Sequence, residues 1–204
     1  MCGRYYLENT IETIPFIDKM LESALVRKWK DTSAVLTSGE IRPTDVVPVI
    51  ASNRSGKQSV FPMKWGYNAK TLLINARVET ASEKPMFRDD WKSHRCIVPA
   101  SYYFEWEHLK GDNGKSKTGS KYVIQPKGSA VTWLCGLYRF ENELPHFVIL
   151  TRDAAEDIRF IHDRMPLIMP DNMVSEWIRP DADPDTMIKE ALTEMISEKS
   201  QETG

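Results

Sequence analysis

Residues 96–106 read Cys-Ile-Val-Pro-Ala-Ser-Tyr-Tyr-Phe-Glu-Trp, a run of β-branched and aromatic residues whose composition is that of a strand. Working downstream, residues 109–120, rich in Gly, Lys and Ser, read as a mobile hairpin connection. Residues 123–125, 130–138 and 147–151 then continue the strand series between turn formers. Upstream, residues 41–50, with Val46, Val47 and Val49, read as a strand entered through Pro43, and residues 60–67 as another, with Asn53-Arg54-Ser55-Gly56 as the turn between them. In residues 71–80, Ile74, Ala76 and Val78 alternate with Asn75, Arg77 and Glu79, so a strand there has one apolar and one polar face. Helices are expected over residues 10–29, interrupted near the start by Pro15, over 82–92, and over 153–161 with Thr151 as cap. A short helix opened by Asp171 and Asn172 should end before Pro180, and residues 185–198 place Met187, Ile188, Ala191, Leu192, Met195 and Ile196 on one helical face. The expectation is one α+β domain over residues 2–204, a curved, barrel-like, mostly antiparallel sheet flanked by helices.

Bulk composition narrows the class. At 204 residues the chain can bury about 70% of its unfolded surface, and 41% hydrophobic with 27% charged residues is ordinary for a globular protein. The longest apolar runs, such as Phe147-Val148-Ile149-Leu150, fall far short of the roughly 20 residues that cross a bilayer. No basic start, apolar stretch and small-residue cleavage site precede the fold, so a cytoplasmic protein is expected, associated with the nucleoid if bacterial or phage. Three cysteines, at positions 2, 96 and 135, cannot all pair and suit a reducing compartment. A formal net charge of −2 excludes a protein coated in positive charge but leaves room for a local basic groove.

Several residues could carry chemistry. Removal of Met1 would leave Cys2 with a free α-amine and a thiol on adjacent carbons. That amine titrates near 7.7 to 8.0, so part of it is nucleophilic at neutral pH and can attack an aldehyde; the thiol can then close a five-membered thiazolidine. The simpler reading is a loose, oxidisable terminus. Asn75 and Arg77 offer an amide for a sugar and a guanidinium for a phosphate, or merely a solvated strand face. Glu105 sits among Tyr102, Tyr103, Phe104 and Trp106, where desolvation would raise its pKa and suit it to acid–base work. Alternatively it faces solvent while Tyr102, Phe104 and Trp106 fill the core, and Glu107 could equally be the active carboxylate. His162, at an expected helix end, would favour the imidazolium form and could donate a proton, or could simply cap. His94 with Cys96 is too little for zinc, and neither metal nor cofactor is expected.

The N-terminal Met-Cys-Gly-Arg, Trp65-Gly66-Tyr67, Ile74-Asn75-Ala76-Arg77-Val78-Glu79-Thr80, Phe104-Glu105-Trp106 and Ile161-His162-Asp163-Arg164-Met165-Pro166, taken in order, resemble the SRAP (SOS-response-associated peptidase) family. The resemblance implies a sensor of abasic sites in single-stranded DNA that forms a thiazolidine DNA–protein crosslink with the ring-opened sugar, protects the lesion, and has lyase-like and crosslink-reversal chemistry. By it, Cys2 is the crosslinking residue, Asn75 holds the N-terminus and sugar, Glu105 is the acid–base for ring opening and reversal, and His162 assists sugar opening. Arg4, Arg77 and Arg164 match positions expected at phosphates, with Pro43, Phe87 and Thr151 lining the strand path. Two departures stand out. The loop between Tyr67 and Leu72 is only Asn-Ala-Lys-Thr, where family members often carry a longer loop with tryptophans, and no tail strand is legible before Gly204.

The partner expected is single-stranded DNA bearing abasic sites, with no membrane, and the protein is expected to be a monomer. Peptidase activity is expected at most as autoproteolytic removal of Met1. The alternatives are an N-terminal-nucleophile thiol amidohydrolase or peptidase, and a non-covalent single-stranded DNA-binding module in which Cys2 is incidental.

Overall fold

The computed structural model describes residues 2–30, 33–110 and 116–200. The strands are β1 (Arg4–Leu7), β2 (Gly39–Ile41), β3 (Val46–Ser52), β4 (Gln58–Trp65), β5 (Asn75–Arg77), β6 (Arg95–Ala100), β7 (Tyr102–Lys110), β8 (Ser116–Pro126), β9 (Thr132–Glu141), β10 (Leu144–Asp153), β11 (Arg164–Pro166), β12 (Ile168–Met169) and β13 (Met195–Lys199). The helices are α1 (Ile14–Leu21), α2 (Leu25–Lys30), α3 (Val78–Ala81), α4 (Arg88–Ser93), α5 (Val174–Trp177) and α6 (Pro184–Met187).

Pairing in the order β10–β4–β3–β6–β9 and back to β10 closes a five-stranded barrel. All its pairs are antiparallel except β10 with β4. A closed ring leaves these strands without an edge. The strands β11, β12 and β5 extend it, and a second, open sheet runs β13–β8–β7–β1–β2. This is the barrel-like, mostly antiparallel α+β architecture that the strand series predicts.

The continuous apolar runs of β3 and β6 follow from burial on both faces. Val47, Val49 and Ala51 share one core cluster with Tyr5, Tyr103 and Ile124 of the open sheet. Ile50 and Ile97 point the other way, into a second cluster with Met20, Val26, Trp91 and Trp177 from the helices. At Gly136 on β9 an added Cβ would stand 2.6 Å from the Val148 carbonyl oxygen and 3.0 Å from the Cys96 sulfur. The close approach of β9 to β10 and β6 requires glycine there.

Local structure departs from the sequence reading in identifiable places. Pro15 opens α1 rather than interrupting a longer helix, as its fixed φ and missing N–H favour. Residues 41–50 split into β2 and β3 because Thr44 takes φ 80°. Only Asn75–Arg77 of residues 71–80 is strand, and helix begins at Val78, inside that stretch. The helix expected over 82–92 is instead α4, starting at Arg88. The expected helix over 153–161 is a 3-10 turn, Glu156–Ile158. Thr151 does not cap it but lies buried in β10, its hydroxyl donating to the Ala76 carbonyl at 3.4 Å. The expected tail helix is the short α6, a 3-10 turn and then β13, which pairs with β8 from Met195↔Pro126 to Lys199↔Tyr122. The backbone groups that β8 would otherwise leave unpaired are bonded by this strand, which outweighs a weak amphipathic pattern. A tail strand therefore exists. The hairpin connection expected at 109–120 is strand at both ends, and its tip, 111–115, lies outside the described residues.

Candidate active site

β1 lies between β7 and β2, with Arg4↔Phe104 and Tyr5↔Tyr103 in register on one side and Tyr5↔Ile41 on the other. Cys2, just before it, is fully buried and packs in the cluster that fills the space between barrel and open sheet. Its thiol lies 3.8 Å from the Arg4 carbonyl oxygen, to which it donates weakly. The Asn75 Nδ2 donates to the Cys2 carbonyl at 2.9 Å. Asn75 can reach it because β5 is laid parallel on β10 at Ile149, which accounts for a poor strand former at the start of this strand.

Along β7, Tyr103 and Glu105 face inward while Tyr102 and Trp106 are partly exposed on the opposite face, so the carboxylate is the buried member of the pair Glu105 and Glu107. Glu105 is 4% exposed, and its Oε1 accepts from the Trp106 N–H at 3.3 Å. On the outer face the Lys121 ammonium sits 4.1 Å from the centre of the Phe104 ring, and the Arg4 guanidinium 5.2 Å from that of Trp106. Arg4 also bonds Glu40 at 3.0 Å.

His162 is 8% exposed, and no helix ends there: β11 begins two residues on. Its Nδ1 lies 2.8 Å from Asp163 Oδ1 and also 2.9 Å from the Arg164 N–H, which donates to it. These two contacts demand opposite tautomers. The Asp163 side chain is 84% exposed and therefore a weak partner, and burial pulls the imidazole below its ordinary value of 6.5. Burial thus disfavours the charged ring, and the bond from the Arg164 N–H favours Nδ1 as acceptor. This corrects the imidazolium inferred from a helix end.

Gly3, Arg4, Glu105, Trp106, His108, Thr118 and His162 line one open cleft of about 490 Å³. Burial raises the Cys2 thiol well above its ordinary value, and the Glu105 charge adds to the effect. Glu105 also acts electrostatically on His162. The structure thus brings Cys2, Asn75, Glu105 and His162 together, with Arg4 on the rim.

The other expected residues are placed differently. Arg77 is exposed at the end of β5 and Pro43 is half-buried between β2 and β3. Phe87 and Thr151 are buried in the core. The Arg164 guanidinium is committed to protein carboxylates: it grips Glu79 through two bonds of 2.7 and 2.8 Å, and Asp153 at 2.5 Å. Burial opposes its charge, but Glu79 and Asp153 hold its pKa above the usual arginine value. His108, which the sequence reading did not single out, has its ring centre 4.1 Å from that of His162. The irregularity in β7–β8 pairing between Trp106 and His108 sets this segment of strand, and Gly119, where a Cβ would meet Glu107 Oε2 at 2.8 Å, is the only sequence signal of it.

The family model described as SOS response associated peptidase (SRAP) matches residues 1–203. The abasic site processing protein YoqW of Bacillus subtilis is 33% identical over 199 residues, covering 91% of this chain and 84% of its own length. The abasic site processing protein YedK of Escherichia coli is 33% identical over 186 residues, covering 88% and 80%. Among solved structures, a phage-related protein of Bordetella bronchiseptica matches with a TM-score of 0.73 at 21% identity over 98% of this chain and 95% of that one. A protein of Bacteroides thetaiotaomicron matches at 0.71 and 20% identity, over 98% and 93%. Both structural matches speak for the fold.

Proposed function

This chain belongs to the SOS response associated peptidase (SRAP) family, and from that premise we propose that it processes abasic sites in single-stranded DNA, with Cys2 as the covalent nucleophile after loss of Met1. Residues 2–204 act as one domain in this reading. The observation that carries it is the bond from Asn75 to the Cys2 carbonyl beside a cleft lined by Glu105 and His162. Names of relatives support the substrate: YoqW and YedK are both called abasic site processing proteins.

Glu105 and His162 move the protons that open the sugar to its aldehyde. A carboxyl group and an imidazole side by side suit proton transfer in both directions. The Cys2 amine adds to the aldehyde carbon, water leaves, and an imine forms. The thiol then adds across the C=N bond, sulfur to carbon and proton to nitrogen, closing a thiazolidine with net loss of one water. A buried thiol held in place needs no ionisation in solution for this, because ring closure is intramolecular. Elimination from the imine would give strand cleavage instead. Asn75 fixes the Cys2 backbone so that amine and thiol meet one carbon. In this reading Arg4, on the rim of the cleft, and the exposed Arg77 meet phosphates, an interaction indifferent to sequence.

Intact mass spectrometry tests this. The mature chain mixed with an abasic oligonucleotide should gain the mass of the oligonucleotide less one water, and should gain nothing with undamaged DNA. A stable adduct with Cys2→Ala, or a purified chain that retains Met1 and still forms one, overturns the reading.

A further inference from the structure

Tyr5 and Tyr103 stand opposite each other on β1 and β7, both completely buried in the cluster that holds Cys2. Neither hydroxyl has a hydrogen-bond partner among the described residues, and neither has the Oδ1 of Asn75, whose amide nitrogen grips the Cys2 carbonyl. A buried hydroxyl without a partner costs stability, and native interiors leave few of them. The Tyr5 ring lies against Trp65 at 5.4 Å between centres, a contact that involves no oxygen. Two such hydroxyls on strand positions that face each other, with an unpartnered amide oxygen on the residue that holds the Cys2 carbonyl, are polar groups set in the otherwise apolar cluster that contains Cys2.

We infer that the Tyr5 and Tyr103 hydroxyls receive the aldehyde oxygen of the opened sugar, donating hydrogen bonds to it as the Cys2 amine adds. The inference rests on the function proposed above and extends it to residues that act directly on the substrate. As nitrogen bonds to the carbon, the carbonyl π pair moves to oxygen and charge develops there. Fixed donors in a dry site stabilise that charge. The nitrogen gives up a proton as the oxygen takes one to become the carbinolamine hydroxyl; the oxygen takes a second and departs as water while the nitrogen lone pair forms the C=N bond, and the iminium nitrogen gives up its second proton to leave the imine. The tyrosines give no proton up in the balance; Glu105 and His162 relay the two protons from nitrogen to oxygen. Burial pushes both phenols well above their ordinary pKa, so they remain donors at any pH at which the amine is nucleophilic.

The test is the pair of conservative variants Tyr5→Phe and Tyr103→Phe, singly and together, in the full mature chain. Imine formation on an abasic oligonucleotide is read by borohydride trapping, the closed adduct by intact mass, and stability by Tm without DNA. Each single variant should trap imine about tenfold more slowly, the double variant more slowly still, and each Tm should stand at or above that of the parent, because a hydroxyl without a partner has been removed from the core. A role confined to packing would leave trapping within twofold of the parent, and that result, or a lowered Tm with unchanged trapping, overturns the inference. A parent protein that forms no adduct at all defeats instead the function on which the inference rests.

Discussion

In the barrel, β3 buries every residue from Val46 to Ala51 and β6 every residue from Arg95 to Ala100; in the open sheet, β1 alternates half-buried and buried positions, and β7 buries a carboxylate on its inner face. The first region is buried on both sides and closed on itself, so its strands have no free edge. The second has an inner face shared with the barrel and an outer face of Arg4, Trp106 and Lys121. Reactive groups sit where the two meet. The difference teaches that a rigid ring supplies position, while a sheet with one solvated face supplies access and polar side chains.

Breaking each region separately should have separable effects. The largest is expected from Cys2→Ala, which should abolish the stable adduct in mass spectra while shifting Tm only slightly, since the lost group is one sulfur. Glu105→Gln should slow adduct formation by about 10²- to 10⁴-fold, the usual worth of general acid–base catalysis, in a single-turnover assay with fold retained. In the barrel, Gly136→Ala must push a methyl group against the Val148 carbonyl. It should cost about 3 kcal/mol of stability in urea unfolding, yet leave the adduct rate of the folded fraction unaltered. Glu79→Gln weakens the hold on buried Arg164 but leaves it Asp153 and the Thr151 carbonyl. Because the Glu79 side chain is 44% exposed, the expected loss is about 1 to 2 kcal/mol.

The smallest expected effect is on the dependence of stability on pH. Burial holds His146 and His162 below the ordinary value of 6.5, so the unfolded chain binds their protons first. Stability is then level above pH 6.5 and declines as the pH falls below it. Replacing both by glutamine should flatten that decline between pH 6.5 and 5 in a Tm series, whatever it does to the absolute Tm.

Much of this was legible in residue order. Composition locates nearly every barrel strand because it is uniform over most of their length, although residues 96–106 divide between β6 of the barrel and β7 of the open sheet, and the Asn53–Gly56 turn is announced by its residue types. Tertiary choices were not legible. Residues 185–198 carry a helical spacing, but only the unpaired side of β8, far earlier in the chain, makes them a strand. Glu105 is inward and Tyr102 outward by a register that β1 and β8 set jointly. Arg164 has the residue type of a phosphate ligand, and nothing in its neighbourhood in sequence reveals that Glu79, eighty-five positions away, claims it. His108 escaped because its neighbour in space, His162, is remote in sequence. Cys2, the nucleophile we propose, is legible through motif order and not through periodicity.

The placement of β1 in the interior of its sheet has a consequence for biosynthesis. Cys2 leaves the ribosome well before the strands that flank β1, which are β2 and β7, whose partner for Arg4 is Phe104, one hundred positions on. Such long-range pairing is slow to form. A nascent chain therefore carries its thiol uncovered until β7 has been made, open to any oxidant or free aldehyde in its surroundings, and gains protection from these only once β7 has docked.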